Sequence, residues 1–451
     1  MAGISTTYDP ATTAQAMAEN FTSGRQTLLT RQTSAASATE KGLGTLGSAL
    51  STFQSSLLGM TGANKTMSAN SAAFSDTSVA SATAGASATA GSYAFFVEQV
   101  ASAHKVSYSG MADFASGGAL TLGVGTGSFT VDLTTKPTWT VRDLAAAING
   151  ATGNTMMSAS VVTTGTTSEL VLTSKTTGFD NKIKVTAGPG TDTALAAKLG
   201  AAPNVLAQAL DAVLRVGSET GTQIRQSSNT FSVIDGVSMT VTKAQSAGSA
   251  PVTLTVAADP SKTASNAQAF VDAYNKLKSA VDGLVAPGDA KSGDSAGAFA
   301  GDSGVRALRD RLVSVLRGSG SGSLASFGII ANRDGTLSLD SARMTKALAA
   351  NPTGLDTLIG STATGSAGGI AGQLDSYLKL WTNSADGQIG RRKEVVSKLQ
   401  GDLTERQAML DKQYDSAYSR YLAQFTQLQT VQSSMSYNTS LFDALFSSGK
   451  D

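Results

Sequence analysis

The sequence predicts an α+β, multidomain protein. A coiled-coil helical stalk is formed by both chain ends, with two inserted β-rich head domains between them. Three observations carry this. Apolar residues recur at about 3.5-residue spacing near the N-terminus and again toward the C-terminus. The middle of the chain instead holds short β-branched runs separated by Gly, Ser, Thr and Asn. The 451 residues leave room for about three domains at ~150 residues each.

The N-terminal zone, to about residue 75, reads as helix. Leu43, Leu46, Leu50, Phe53, Leu57 and Met60 alternate spacings of three and four, which lines one seam of a coiled coil. Upstream, Ala14, Met17, Phe21 and Leu28 form a thinner stripe with polar residues on the other faces. The stripe is narrow, and nothing nearby in sequence could cover it.

From about 76 to 258 the character changes. "SYAFFVEQV", "ALTLGV", "GSFTVDL", "SASVV", "ELVLTS", "KIKVTAG", "VSMTVTK" and "VTLTVAA" are bounded by turn formers, the pattern of antiparallel sheet. One amphipathic helix interrupts them, with Val141, Leu144, Ala145 and Ile148 on a face, Thr140 as its cap and Gly150 near its end. "TALAAKLG" is a second helical patch. "GVGTGS" at 123–128 lacks the third glycine of a dinucleotide loop and no clear helix follows, so a flexible link between strands is expected.

From about 259 onward helices return. Phe270, Val271, Tyr274, Leu277, Val281 and Leu284 mark one. "GDSGVRALRDRLVSVLRG" marks another, with Val305, Leu308, Leu312, Val315 and Leu316 on one face and Arg317-Gly318 at its end. Its Gly301-Asp302-Ser303-Gly304 is the tetrapeptide around a serine-protease nucleophile. Such a nucleophile needs an imidazole and a carboxylate, and His104 is the only histidine. A helix N-cap at Asp302 or Ser303 is the better explanation. "FGIIANRDGTLSLD" mimics a calcium loop. If Gly335 took the sixth place, however, Ile330 and Ser341 would occupy ligand positions, so Asp334-Gly335 is expected as a hairpin turn. The last helix, about 389–446, carries Val396, Leu399, Leu403 and Leu410, a stutter at Tyr414, then Tyr418, Tyr421, Phe425, Leu428 and Met435. Each terminal seam needs a partner, and the simplest is the other terminus. Thin seams of this kind are expected to gain order mainly by packing into an assembly.

Composition limits function. Hydrophobic content of 41% suffices for cores, while charged residues reach only 15% against about 25% in ordinary domains. Such a weakly charged surface suits packing against copies of itself. Lys and Arg total 34 against 33 acidic residues, so no excess exists to neutralise phosphates and no nucleic-acid partner is expected. Arg391-Arg392-Lys393 reads as a solvated helix face. With no cysteine and one histidine, disulfides, thiolate catalysis and cysteine metal sites are excluded; His104 is expected as an ordinary strand residue rather than a ligand. No catalytic, metal or cofactor site is expected. The N-terminus lacks a basic stretch followed by an apolar core, and no run of about 18 apolar residues occurs, so neither Sec-type export nor membrane insertion is indicated.

The runs "GLGTLGSALSTFQSSL", "GSYAFFVEQVASAHKV", "TVRDLAAAING", "ELVLTSKTTG", "SNTFSVIDGVSMTVTK", "AFVDAYNKL", "GDSGVRALRDRL" and "FGIIANRDGTLSLD", in this order, resemble the bacterial flagellar filament cap family, flagellar hook-associated protein 2. They span almost the whole chain. The N-terminal "STTYDPATTAQAMAENFTSGRQ" departs from the family's glycine-rich opening. The resemblance implies an inner terminal domain from residues 1–40 and 406–451 and a helical leg from 41–77 and 259–405. It also implies one head domain from 78–116 with 207–258, and an outer head inserted at 117–206. It implies a homo-oligomeric ring, expected as a pentamer, at the extracellular distal tip of the filament, which retains exported flagellin and promotes its folding and polymerisation. Partners implied are flagellin, the hook–filament junction protein before filament growth, and a type III export chaperone; the absence of cysteine fits passage of an unfolded chain through that export channel. The terminal stripes named above are then the assembly seam. Two other roles are compatible with parts of the pattern: an adhesin acting through the heads, tested by glycan or mucin binding, and a sibling junction or flagellin-like structural protein.

Overall fold

The computed structural model describes residues 9–164, 167–289, 291, 293–317 and 323–447. The chain divides into two compact units, Met1–Ala63 with Ala264–Asp451, and Asn64–Thr263. The first opens with α1 (Pro10–Thr61), a helix of 52 residues. Its N-cap Asp9 accepts hydrogen bonds from the amides of Ala11 and Thr12 at 3.3 and 3.0 Å, and Pro10 sits where a missing N–H costs nothing.

The second unit is built largely of short strands. In chain order they are β1 (Asn70–Phe74), β2 (Ala80–Ala84), β3 (Gly91–Gln99), β4 (Ala103–Met111), β5 (Phe114–Ala115), β6 (Ala119–Val124), β7 (Gly127–Asp132) and β8 (Thr138–Trp139). Helix α2 (Val141–Gly150), β9 (Met157–Thr164), β10 (Thr167–Thr177), β11 (Ile183–Ala187) and α3 (Thr193–Gly200) follow. Then come β12 (Asn204–Ala207), β13 (Ala212–Val216), β14 (Thr222–Gln226), β15 (Thr230–Ile234), β16 (Val237–Val241) and β17 (Val252–Ala258).

Two separate cores organise these elements. One lies between the antiparallel sheet β1-β17-β3-β13-β14 and the sheet β15-β16-β2, and is filled by Phe95, Val97, Leu214, Phe231, Met239 and Leu254. The other gathers the sheets β12-β4-β10-β9 and β11-β6-β7 around α2 and α3, with Leu120, Leu122, Leu144, Ile148, Leu170 and Leu172 inside. The chain crosses between them at Ser102, which exchanges backbone hydrogen bonds with Leu210 at 3.0 and 3.2 Å.

Three expectations are corrected here. The N-terminal helix does not reach residue 75. It stops at Thr61, Asn64 adopts a left-handed conformation (φ 57°), and Asn70–Phe74 pairs in register with Leu254–Ala258. A Ser/Ala-rich run has little preference of its own, so pairing with a distant strand decides it. The first head segment does not run to residue 116, because β4 pairs with β10 and β12 and places Val106, Tyr108 and Met111, with Phe114 of β5, in the core gathered around α2 and α3. The "GVGTGS" stretch is no flexible link but the tight β6–β7 hairpin, turning at Gly125 with φ 61°.

Other local expectations hold. α2 begins with a capping box: Thr140 Oγ1 accepts from the Asp143 amide at 3.1 Å, and the Asp143 carboxylate accepts from the Thr140 amide at 3.0 Å. His104 is a buried strand residue whose Nδ1 accepts the Ile183 N–H at 2.9 Å. Burial, together with the nearby Lys182 charge, lowers its pKa.

The remaining elements return to the first unit. They are α4 (Pro260–Val285, whose first turn lies before the unit boundary), α5 (Ser303–Leu316), a 3-10 turn at Leu324–Phe327, β18 (Ile329–Ala331) and β19 (Leu337–Leu339). Then follow α6 (Ser341–Ala350), α7 (Gly354–Ile359), α8 (Gly369–Thr382) and the 60-residue α9 (Gln388–Ser447). Leu43, Leu46, Leu50, Phe53 and Leu57 of α1 are all buried, and the Phe53 ring meets Phe270 and Tyr274 of α4 at 6.4 and 6.3 Å between centroids. Gly335, at φ 82°, completes the β18–β19 hairpin, where the Asn332 amide donates to Thr336 O at 2.8 Å. Among the described residues no cluster of side chains could hold a metal ion, and no helix is long and apolar enough to cross a membrane.

Candidate functional site

The two longest helices pair antiparallel. Leu29 and Ala36 of α1 and Leu403 and Leu410 of α9 form one buried cluster. Polar side chains fix the pairing along its flanks: the Gln26 and Gln407 amides donate to each other at 3.1 and 3.0 Å, and Gln400 donates to Glu40 at 2.8 Å. Buried positions advance in steps of seven, through Thr22, Leu29, Ala36, Leu43, Leu50 and Leu57 on α1 and Ile389, Val396, Leu403, Leu410 and Ala417 on α9. An unbroken seven-residue repeat is what keeps two supercoiled helices facing one another.

The expected seam is one residue out of phase over the first part of α1. Ala14 is buried, but Met17, Phe21 and Leu28 stand 44–58% exposed, and the interface is made by Ala18, Thr22 and Leu29. Close approach of two helices selects small side chains, and the bulky neighbours lie on the flank. Phe21 is there covered by the guanidinium groups of Arg25 and Arg420, at 5.5 and 6.0 Å from its centroid. On α9, Val396, Leu403 and Leu410 are in the seam as expected, but Leu399, Leu428 and Met435 are exposed, and Tyr418, Tyr421 and Phe425 are half-buried, as is Met60 on α1. The seven-residue series reaches Ala417, and beyond it Gln424 is exposed while Tyr418, Tyr421 and Phe425 are partly buried; Tyr414 and Tyr418 stack with rings within 6° of parallel. Ala417, like Ala18 and Thr22, carries too little apolar signal to be found by searching for large residues.

The same helix closes a polar corner against α5. Asp302 is the N-cap, accepting from the Val305 amide at 3.0 Å, and Ser303 is merely the first helical residue. The Asp302 carboxylate also receives two hydrogen bonds from Arg392 of α9, at 2.6 and 3.3 Å. Burial pushes this carboxyl up, but Arg392 and the Val305 amide outweigh it and hold it below the ordinary carboxylate value. The Arg392 guanidinium lies 5.4 Å from the Trp381 ring centroid. A Cβ on Gly304 would come within 2.6 Å of that guanidinium, so the glycine gives the arginine its access. The protease-like tetrapeptide is therefore a helix cap tied to α9. The helix ends at C-cap Arg317, and Gly318 lies outside the described residues.

A helical seam joining both ends of a chain, with a two-core β-rich unit inserted in its sequence, defines a structural assembly subunit. Three family models match: the flagellar hook-associated protein 2 N-terminus over residues 6–104, its C-terminus over 209–437, and the flagellin hook IN motif over 119–176. The lateral flagellar hook-associated protein 2 of Vibrio parahaemolyticus is 33% identical over 78% of this chain and 80% of its own length. The B-type flagellar hook-associated protein 2 of Pseudomonas aeruginosa is 30% identical over 87% of this chain and 86% of its own. The crystal structure of the flagellar cap protein FliD D1-D2-D3 domains from Escherichia coli matches with a TM-score of 0.60 at 28% identity, covering 78% of this chain and 99% of that one. The chain belongs to the flagellar hook-associated protein 2 family.

Proposed function

We propose that this chain is the filament cap of a bacterial flagellum. It sits at the extracellular distal tip as a homo-oligomeric ring, retains exported flagellin, and promotes its folding and addition to the filament. Family membership, with a fold match extending over nearly all of the E. coli cap structure, is the observation that carries it. In this role the α1–α9 seam supplies the assembly helices and the β-rich unit supplies the head domains. Flagellin is its working partner, the hook–filament junction protein its seat before filament growth, and a type III chaperone its escort to export.

The paired ends are thin: among the described residues their buried cluster is Leu29, Ala36, Leu403 and Leu410, extended by the small side chains of Ala14, Ala18, Thr22 and Ala417. We expect them to be mobile in the free subunit and protected in the ring or on the filament, because short apolar seams give helices little stability alone. Removing residues 1–40 and 408–451 should leave the rest folded and abolish capping. Hydrogen exchange on free and filament-bound protein, with motility of a strain carrying the truncation, tests this. Normal filaments from the truncated strain would refute it.

A further inference from the structure

Two rows of residues run along the C-terminal part of α9 at seven-residue spacing. Tyr414, Tyr421, Leu428, Met435 and Phe442 make one; Ala417, Gln424, Val431 and Asn438 make the other. Together they have the alternating three-and-four spacing of a coiled-coil seam. The second row continues the buried series Leu403, Leu410, Ala417 in the same phase. The first row changes character along the helix. Its upstream positions are Lys393, Gln400 and Gln407, and the two glutamines are engaged with Glu40 and Gln26 of α1.

Phe21 lies against Arg420, and α1 begins eleven residues before Phe21, so at equal rise α9 outruns the described part of α1 from about residue 431. Beyond that level Val431, Met435 and Phe442, like Leu428 just before it, stand 45–63% exposed. A contiguous apolar stripe of this kind marks an interaction site.

Two features say what covers it. Between Tyr421 and Ser447 the one charged residue is Asp443. The positions beside the seam therefore lack the Lys and Glu that select a different partner by charge. The exposed seam also contains one amide, Asn438. Against an apolar partner it would be buried without a hydrogen-bonding mate, which is costly. Against the same helix, parallel and in register, Asn438 meets Asn438 at its own level.

We propose that the α9 tail from Leu428 to Phe442 docks on the same segment of further copies of this chain, parallel and in register, with the Asn438 layer setting the register. This rests on the ring-forming role above and names the contact. The chain has no cysteine, so single cysteines report the contact in the full-length protein. Under mild oxidation Met435→Cys and Phe442→Cys should give roughly tenfold more disulfide-linked dimer than Ser433→Cys on the opposite face, since a disulfide needs Cβ atoms within about 4.5 Å. Asn438→Leu should change the oligomer size distribution in sedimentation, as loss of a polar core layer does. Equal cross-linking at the three positions, or cross-linking only to a flagellin carrying a single cysteine, overturns the proposal. If rings and motility persist in that case, the cap function stands and only the homotypic contact is lost.

Discussion

Replacing Asp302 by alanine removes two interactions at once. The N-cap bond to the Val305 amide goes, and so does the pair of bonds from Arg392. Loss of a cap costs about 0.5–2 kcal/mol. The ion pair, with each side chain 28–29% exposed, is worth at most ~1 kcal/mol once solvent screening is allowed for. Arg392 keeps its contact with Trp381, which limits the loss. The expected destabilisation is about 1–3 kcal/mol. Asp302→Asn keeps a capping oxygen and should cost less, and Ser303→Ala should stay within about 0.5 kcal/mol. Trp139 and Trp381 are the two tryptophans, so a Trp139→Phe background makes Trp381 fluorescence in urea a reporter of this corner alone. Because the folded-state pKa of Asp302 is depressed, its contribution is complete above the unfolded value of about 3.9 and is lost as pH falls through the lower folded value. The gap between wild type and Asp302→Ala should therefore close in acid. A cost for Ser303→Ala equal to that for Asp302→Ala, or covalent labelling of Ser303 by a fluorophosphonate, would refute the assignment.

Three further outcomes are expected. Leu57→Ala should destabilise the helical unit by about 2 kcal/mol or more, while Leu58→Ala, one residue away on the exposed face, stays within about 0.5 kcal/mol in the free subunit; similar costs in thermal melts would contradict the register seen here. The His104 pKa is lowered by burial and then by Lys182, so its contribution is complete above about pH 6.5 and is lost as pH falls toward the lower folded value; Trp139 fluorescence in a Trp381→Phe background should show this loss, and His104→Gln should flatten it. Excising 103–209 and joining Ser102 to Leu210 through Asn-Gly should leave the core between the β1-β17-β3-β13-β14 and β15-β16-β2 sheets folded, because these two residues already form the closing pair of a hairpin; loss of β-sheet circular dichroism beyond the excised share would count against it.

What the sequence determined by itself is local. The Thr140/Asp143 box, the Asp334-Gly335 turn and the apolar face Val305–Leu308–Leu312 lie within one or two turns of chain, where backbone sterics and capping decide the outcome. The heptads from Leu43 to Leu57 were equally legible because their residues are large and the repeat is dense. The tertiary structure alone decided the rest. β4 has the same alternation whichever sheet it joins, and Asn70–Phe74 has almost no preference until β17 lies beside it. Asp302 acquires Arg392 from 90 residues away. In the seam, Ala18, Thr22 and Ala417 were chosen over Met17, Phe21 and Tyr418 because two helices approach most closely where side chains are small. A small residue leaves hardly any hydrophobic mark in a sequence; its value exists only when the second helix arrives.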